Sequence, residues 1–177
     1  MTHPATPPTR VTLTRRSILC GAALLGVLAG CGFRHNEAKA DSGEPPKGSF
    51  EVSHSDSEWR RILTSAQYDV LRKAGTERPF TSPLNDEHRT GIFSCAGCAL
   101  DLFSSSTKFN SGTGWPSFWQ PLANAVIERP DNSFFMSRTE VLCRRCGGHL
   151  GHVFNDGPKP TGLRYCMNGV ALTFRTT

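Results

Sequence analysis

Two Cys-x-x-Cys pairs, Cys95-Ala96-Gly97-Cys98 and Cys143-Arg144-Arg145-Cys146, constrain this chain more than any other feature. A turn of that length aims both sulfurs at one point, and two such turns brought together make a tetrahedral sulfur cage of the kind that holds zinc. Four thiolates fill the coordination sphere, so a zinc ion held this way is structural, with no open position for a substrate. Gly97, and Gly147-Gly148 after the second pair, supply the permissive backbone such turns use. The spacing also leaves room for two disulfides, which an exported protein could form. With 44 residues between Cys98 and Cys143, more than a simple zinc-ribbon loop, substantial structure must be stapled between the pairs.

The N-terminus reads as an address. Thr14-Arg15-Arg16-Ser17 opens an apolar stretch from Ile18 to Ala29, too short to span a bilayer but suited to the hydrophobic region of a signal peptide. Paired arginines before it resemble a twin-arginine export signal. Leu28-Ala29-Gly30-Cys31 has the form of a bacterial lipobox, which predicts cleavage before Cys31 and acylation of that cysteine. A rival cut lies after Ala38-Lys39-Ala40, and a buried apolar helix is the remaining alternative. The sequence therefore divides into a signal segment (1–30), a flexible Gly/Pro/Ser tether (31–50) and one folded domain (51–177), with export to the cell envelope, periplasmic or membrane-anchored through Cys31.

Charge matters once that segment is set aside. The formal +5 includes Arg10, Arg15 and Arg16, and without them 17 basic side chains face 15 acidic ones. Zinc on four thiolates contributes about −2, so the domain is nearly neutral. No basic run or stripe remains, which argues against a nucleic-acid partner.

Ser55-x-x-Glu58 and Thr64-x-x-Gln67 have the capping-box form and predict two short helices. The first should bury Trp59, Ile62 and Leu63, and the second Tyr68 and Leu71, with Gly75 ending it. Beyond Pro79, short strand-like runs at 91–94, 125–128, 133–136 and 170–174 are punctuated by Gly, Pro and Asn. The expected fold is mainly β: two antiparallel sheets, barrel-like, with short N-terminal helices and a structural zinc site.

Of the seven cysteines, Cys20 and Cys31 fall in the export segment and four go to metal, which leaves Cys166 alone. Arg164 lies two residues before it, where a guanidinium turned toward the sulfur would favour the thiolate. His149 and His152 offer donors to a thiolate or a substrate oxygen. A buried, inert cysteine beside two satisfied core histidines accounts for these residues equally well. Similarly, Gly112-Thr113-Gly114-Trp115-Pro116-Ser117-Phe118-Trp119 is either a loop presenting an indole to a methyl or thioether group, or simply core.

Taken in order, Ser111-Gly-Thr-Gly-Trp-Pro-Ser-Phe118, Cys143-x-x-Cys146, His149-Leu-Gly-His152-Val-Phe154 and Arg164-Tyr-Cys-Met-Asn168 resemble the methionine sulfoxide reductase B family, and Thr76 to Leu84 resembles that family's leading segment. The likeness covers about residues 55 to 176. It implies a peptide-methionine (R)-S-oxide reductase with zinc remote from the reacting thiol. It also implies Cys166 as nucleophile, with His149, His152 and Asn168 around the sulfoxide. Arg164 would stabilise the thiolate, Asp156 would support it, and Trp115 and Phe154 would receive substrate. Many members carry a resolving cysteine where this chain has Thr113. The expectation is therefore a one-cysteine enzyme whose sulfenic acid is reduced by a small thiol or a thioredoxin-like partner, with Cys31 as the alternative resolving thiol. Gly169-Val170 departs from the small polar pair expected after Asn168. A zinc-ribbon binding module, the leading rival class, explains the four metal cysteines but not Cys166 or the histidines.

Overall fold

The structure, a computed structural model, describes residues 50–133 and 136–177. The expected signal segment and tether, apart from Phe50, lie outside these residues.

Both capping boxes are complete. Ser55 opens α1 (Asp56–Ile62) and Thr64 opens α2 (Ser65–Lys73), each with reciprocal bonds to the third helical residue, a device worth about 1 kcal/mol per cap. Trp59, Leu63, Tyr68 and Leu71 are buried as expected, but Ile62 is 55% exposed. The chain turns extended at Leu63, so Leu63 rather than Ile62 completes the inward face. Helix α2 ends on Ala74 at φ 53°, not on Gly75. Gly75 serves by close approach instead: its N–H donates to Asp69 O at 2.9 Å, and a Cβ there would lie 2.9 Å from that same oxygen.

Nine strands follow: β1 (Gly91–Cys95), β2 (Asp101–Ser104), β3 (Lys108–Phe109), β4 (Ser117–Phe118), β5 (Val126–Asp131), β6 (Arg138–Cys143), β7 (His149–Phe154), β8 (Arg164–Met167) and β9 (Leu172–Thr176). They form a three-stranded sheet, β2-β1-β9, and a six-stranded sheet, β3-β4-β8-β7-β6-β5. Every pairing is antiparallel. The mainly β architecture of two antiparallel sheets with two leading helices is thus present.

Two expected strands differ. In the run 170–174, Gly169–Ala171 form a 3-10 turn and the strand starts at Leu172. In the run 133–136, Phe134 and Phe135 lie outside the described residues, and Ser133 and Met136 lie outside any strand. Asp131 Oδ1 accepts from Ser133 N at 3.0 Å and Ser133 O from Met136 N at 3.1 Å, so the two described ends of the run are held by turn bonding.

An aromatic core joins the sheets. Phe118 of β4 stacks on Phe103 of β2 at 4.4 Å between centroids and meets Phe93 of β1 edge-on at 5.0 Å, with Tyr165 of β8 completing the group. Phe93, Phe103, Phe118 and Met167 are fully buried. Because neighbouring residues of a strand point to opposite faces, burying Tyr165 and Met167 turns Cys166 to the other side.

Candidate active site and metal centre

The pairing register aligns the polar residues. Ser117 of β4 pairs with Cys166 of β8, Cys166 with His152 of β7, His152 with Glu140 of β6, and Glu140 with Arg129 of β5. One row across five strands therefore carries hydroxyl, thiol, imidazole, carboxylate and guanidinium on a common face. The close fit of β7 to β8 depends on Gly151, where an added Cβ would sit 2.1 Å from Cys166 O.

A cavity of about 150 Å³ lies over this row, walled by Thr76, Trp115, Arg138, Gly151, His152, Phe154, Cys166 and Asn168. It brings together five of the expected site residues: Trp115, His152, Phe154, Cys166 and Asn168. Of the loop's three aromatic rings, Phe118 alone is fully buried core; Trp115 and Trp119 are half-buried. His149 does not wall this cavity. It lines an adjoining recess together with His152, Arg138 and Glu140.

The two imidazoles are held differently. His149 is 3% exposed. Its Nδ1 donates to Glu140 Oε1 at 2.6 Å, and its buried Nε2 has no hydrogen-bond partner among the described residues. Burial works against a charge on Glu140, but bonds from His149 and from Arg129 (2.6 Å) outweigh it and hold the carboxyl below its ordinary range. His152 Nε2 bonds Asp131 Oδ2 at 2.8 Å, and Asp131 also accepts from Arg138 at 2.7 Å. Burial lowers the His152 pKa, against the pull of Asp131, so the ring is held neutral. The two rings meet edge-on at 5.4 Å.

Arg164 and Cys166 share a strand face. The guanidinium makes a two-bond fork to Asp156, both at 2.8 Å, and stacks over the Phe154 ring at 4.5 Å. Asp156 first and then Cys166 hold Arg164 firmly charged, with burial acting against them. Asp156 itself is 61% exposed and contributes by orienting Arg164 rather than by reaching the cavity. On the other side of the sulfur, Thr113 Oγ1 lies 3.8 Å from Cys166 Sγ, and Ser111 Oγ bonds both Thr113 Oγ1 and Ser117 Oγ at 2.8 Å.

The four paired cysteines form a separate cluster. Their sulfurs all lie within 4.8 Å of one another, with Cys95–Cys146 at 3.7 Å and Cys98–Cys143 at 3.5 Å. A tetrahedral ion with Zn–S bonds of about 2.3 Å needs sulfurs about 3.8 Å apart, so the cage fits a metal ion, and all four are free thiols. The two turns are built alike. The residue after each second cysteine, Ala99 (φ 59°) and Gly147 (φ 66°), is left-handed and donates to the first cysteine's carbonyl at 2.8 Å. Gly97, expected to supply that freedom, does not: Ala99 does. Arg72 of α2 bonds Cys146 O at 2.9 Å, and Leu71 and Trp59 pack beside Gly97, so both helices cover the cage.

Comparison with known proteins settles the family. The SelR domain matches residues 63–176. Peptide methionine sulfoxide reductase MsrB of Leptospira interrogans is 54% identical over 127 residues, covering 71% of this chain and 97% of that protein. The protein of the same name from Thiobacillus denitrificans is 57% identical over 127 residues, 71% of this chain and 96% of its own. That from Methanosarcina barkeri is 54% identical over 126 residues, with 71% and 89% covered. The chain belongs to the methionine sulfoxide reductase B family.

Three residues of this methionine sulfoxide reductase B domain escape a reading of the sequence. Glu140 and Asp131 hold the histidines, but strand register puts them there and no local motif reveals it. Glu77 is the third. Its N–H donates to Asn168 Oδ1 at 2.8 Å, its carbonyl accepts from Trp115 Nε1 at 3.0 Å, and its carboxylate accepts from Val170 N at 3.2 Å. Its only sequence signal is its place in the Thr76–Leu84 segment.

Proposed function

We propose that this chain reduces the R epimer of methionine sulfoxide, mainly in oxidised proteins, using Cys166 as nucleophile and an external thiol as electron donor. Reduction of methionine sulfoxide follows from family membership. What supports the finer reading is one observation: Trp115, His152, Phe154, Cys166 and Asn168 wall a single cavity.

The Trp115 face receives the sulfoxide methyl. Cys166 thiolate, beside the charged Arg164, attacks the sulfoxide sulfur while a proton is delivered to its oxygen. His149 is placed to relay that proton from the adjoining recess rather than from the cavity wall: Glu140 holds Nδ1, which leaves Nε2 as the ring atom free to pass it. His152, held neutral with its Nε2–H donated to Asp131, keeps only the Nδ1 lone pair, so it can accept a hydrogen bond from the oxygen once that oxygen is protonated but does not supply the proton. Two electrons pass from the Cys166 sulfur to the substrate sulfur, methionine leaves, and the oxygen remains on Cys166 as sulfenic acid. Two external thiols, or one dithiol of thioredoxin type, then reduce it, yielding water and a disulfide. Thr113 stands where a resolving cysteine would be, so this second stage is intermolecular.

Zinc on Cys95, Cys98, Cys143 and Cys146 supplies a cross-link for the fold. Export and a lipid tether at Cys31 rest on the Thr14–Cys31 sequence alone.

The deciding experiment presents each epimer of a blocked methionine sulfoxide to the zinc-loaded protein with dithiothreitol. Turnover of the R epimer alone, abolished in Cys166→Ser, is expected. A folded, metal-loaded protein that turns over neither epimer would sink the assignment.

A further inference from the structure

Phe80 is the most exposed large apolar residue among the described ones, at 73%, and its backbone is left-handed, with φ 64°. A bulky residue in that region costs on the order of 1–2 kcal/mol, and exposing the ring forgoes the burial that could offset it. The conformation is nevertheless built in. Phe80 N donates to Gly114 O at 2.7 Å, and Gly114, at φ 91°, leaves no space for a Cβ, which would lie 2.8 Å from both the Phe80 ring and its backbone nitrogen. Segment 79–80 is thereby locked onto the loop that carries Trp115.

Phe80 borders a recess of about 180 Å³ whose walls combine the apolar Phe109, Trp115 and Pro116 with polar residues, Asp86 and Lys108 among them. Trp115 also walls the cavity over Cys166. The two hollows therefore stand side by side, with Trp115 in the wall of each. A single blocked amino acid has only one side chain, and the sulfoxide takes that into the Cys166 cavity. Only a substrate whose chain continues past the sulfoxide can put a second side chain beyond Trp115.

We infer that the Phe80 recess is a subsite for an apolar side chain flanking the methionine sulfoxide in a polypeptide substrate. This deepens the function proposed above and rests on it. The strained, exposed phenylalanine is kept because it gives protein-bound sulfoxide a second contact that free methionine sulfoxide cannot make. Phe80 touches no reacting atom and acts on substrate choice.

The test compares two R-sulfoxide substrates on the full zinc-loaded chain, a blocked single residue and a pentapeptide with leucine on both sides of the sulfoxide. In Phe80→Ala, kcat/KM for the pentapeptide should fall about tenfold more than for the blocked residue, the loss lying in KM, as fits removal of one aromatic contact. Phe109→Ala, in the same recess, should show the same selective loss. Replacing the flanking leucines with glycine should erase the difference between wild type and Phe80→Ala. Equal losses for both substrates would make Phe80 a support for the Trp115 loop and overturn the subsite, as would no loss for either. If the wild type reduces neither substrate, the reductase assignment itself falls and takes the subsite with it; if it reduces both and the variants discriminate nothing, only the subsite falls.

Discussion

Trp115 and Asn168 are fastened to opposite sides of one residue, the indole Nε1 donating to Glu77 O at 3.0 Å and the amide Oδ1 accepting from Glu77 N at 2.8 Å. The proposed methyl-binding wall and the strand end carrying the nucleophile are thus set by a single backbone unit. Asn168 is 3% exposed, and its Nδ2 also donates to Leu150 O at 3.1 Å. Asn168→Ala leaves the half-buried Glu77 N–H without its partner, while Leu150 O keeps the Asn168 backbone N–H at 2.8 Å, so the loss is that of one unpaired donor, about 1–3 kcal/mol. Urea unfolding should show that loss, and the Trp115 loop should lose its anchor, with kcat/KM falling more than stability alone explains. Wild-type stability in this variant would show that the Glu77 link bears no weight.

The metal cage holds both helices as well as the strand ends. Arg72 reaches Cys146 O, Arg145 Nη1 reaches Cys98 O at 3.3 Å, and Val52 N bonds Arg145 O at 3.0 Å. Cys143→Ala should therefore lose bound zinc and cooperative unfolding together, because structural zinc contributes on the order of 10 kcal/mol to such folds. Elemental analysis paired with thermal melting checks this. Retention of one zinc per chain in the variant would show that Cys143 is not a ligand.

How much of this was legible in the sequence depended on whether the signal was local. Cys-x-x-Cys spacing located the cage, and Ser55-x-x-Glu58 and Thr64-x-x-Gln67 located both helices, because turns and caps are written within four residues. Arg164 could be matched with Cys166 because it lies two residues away, although the strand that puts both on one face was not among the expected runs. Glu140 beside His149 and Asp131 beside His152 could not. Those contacts come from the β5-β6-β7 register, including the bulge between Val141 and Leu142, and nothing within either strand specifies the partner. Of the run 133–136, only Ser133 and Met136 are described, and turn bonding from Asp131 onward keeps those two out of any strand.

The histidine row gives the fold a pH dependence with a definite sign. Burial lowers the His152 pKa below its ordinary 6.5, with Asp131 pulling the other way and Arg138 and His149 reinforcing the shift. In the unfolded chain the ring binds its proton as pH falls through about 6.5; in the folded chain it does so only at lower pH. Between those values the unfolded state holds more protons, so stability is full above about pH 6.5 and declines as pH drops below it. Asp131, held low first by Ser133 and then by His152, titrates well beneath this window. His152→Gln should flatten the slope of unfolding free energy between about pH 5 and about pH 7, measured by urea titration at stepped pH. An unchanged slope would place the dependence elsewhere.

Thr113 offers the sharpest check on how the enzyme recovers its thiol. Its hydroxyl lies 3.8 Å from Cys166 Sγ and is steered by Ser111 Oγ at 2.8 Å, so a side chain of the same length at this position already faces the sulfur. Given one equivalent of R-sulfoxide and no reductant, the wild type should release methionine once and stop with Cys166 as a sulfenic acid that dimedone labels. In Thr113→Cys the introduced thiol can attack that sulfenic acid, expelling water and closing a disulfide between position 113 and Cys166. Methionine release should stay near one per chain, while dimedone labelling disappears and mass spectrometry finds the cross-link. Thioredoxin should then turn over the variant faster than the wild type, since it would meet a disulfide, its ordinary substrate, in place of a recessed sulfenic acid. Undiminished labelling of Thr113→Cys would mean that position 113 cannot reach the sulfur. A disulfide formed by the wild type itself would mean that another cysteine resolves Cys166, and the one-thiol cycle would have to be abandoned.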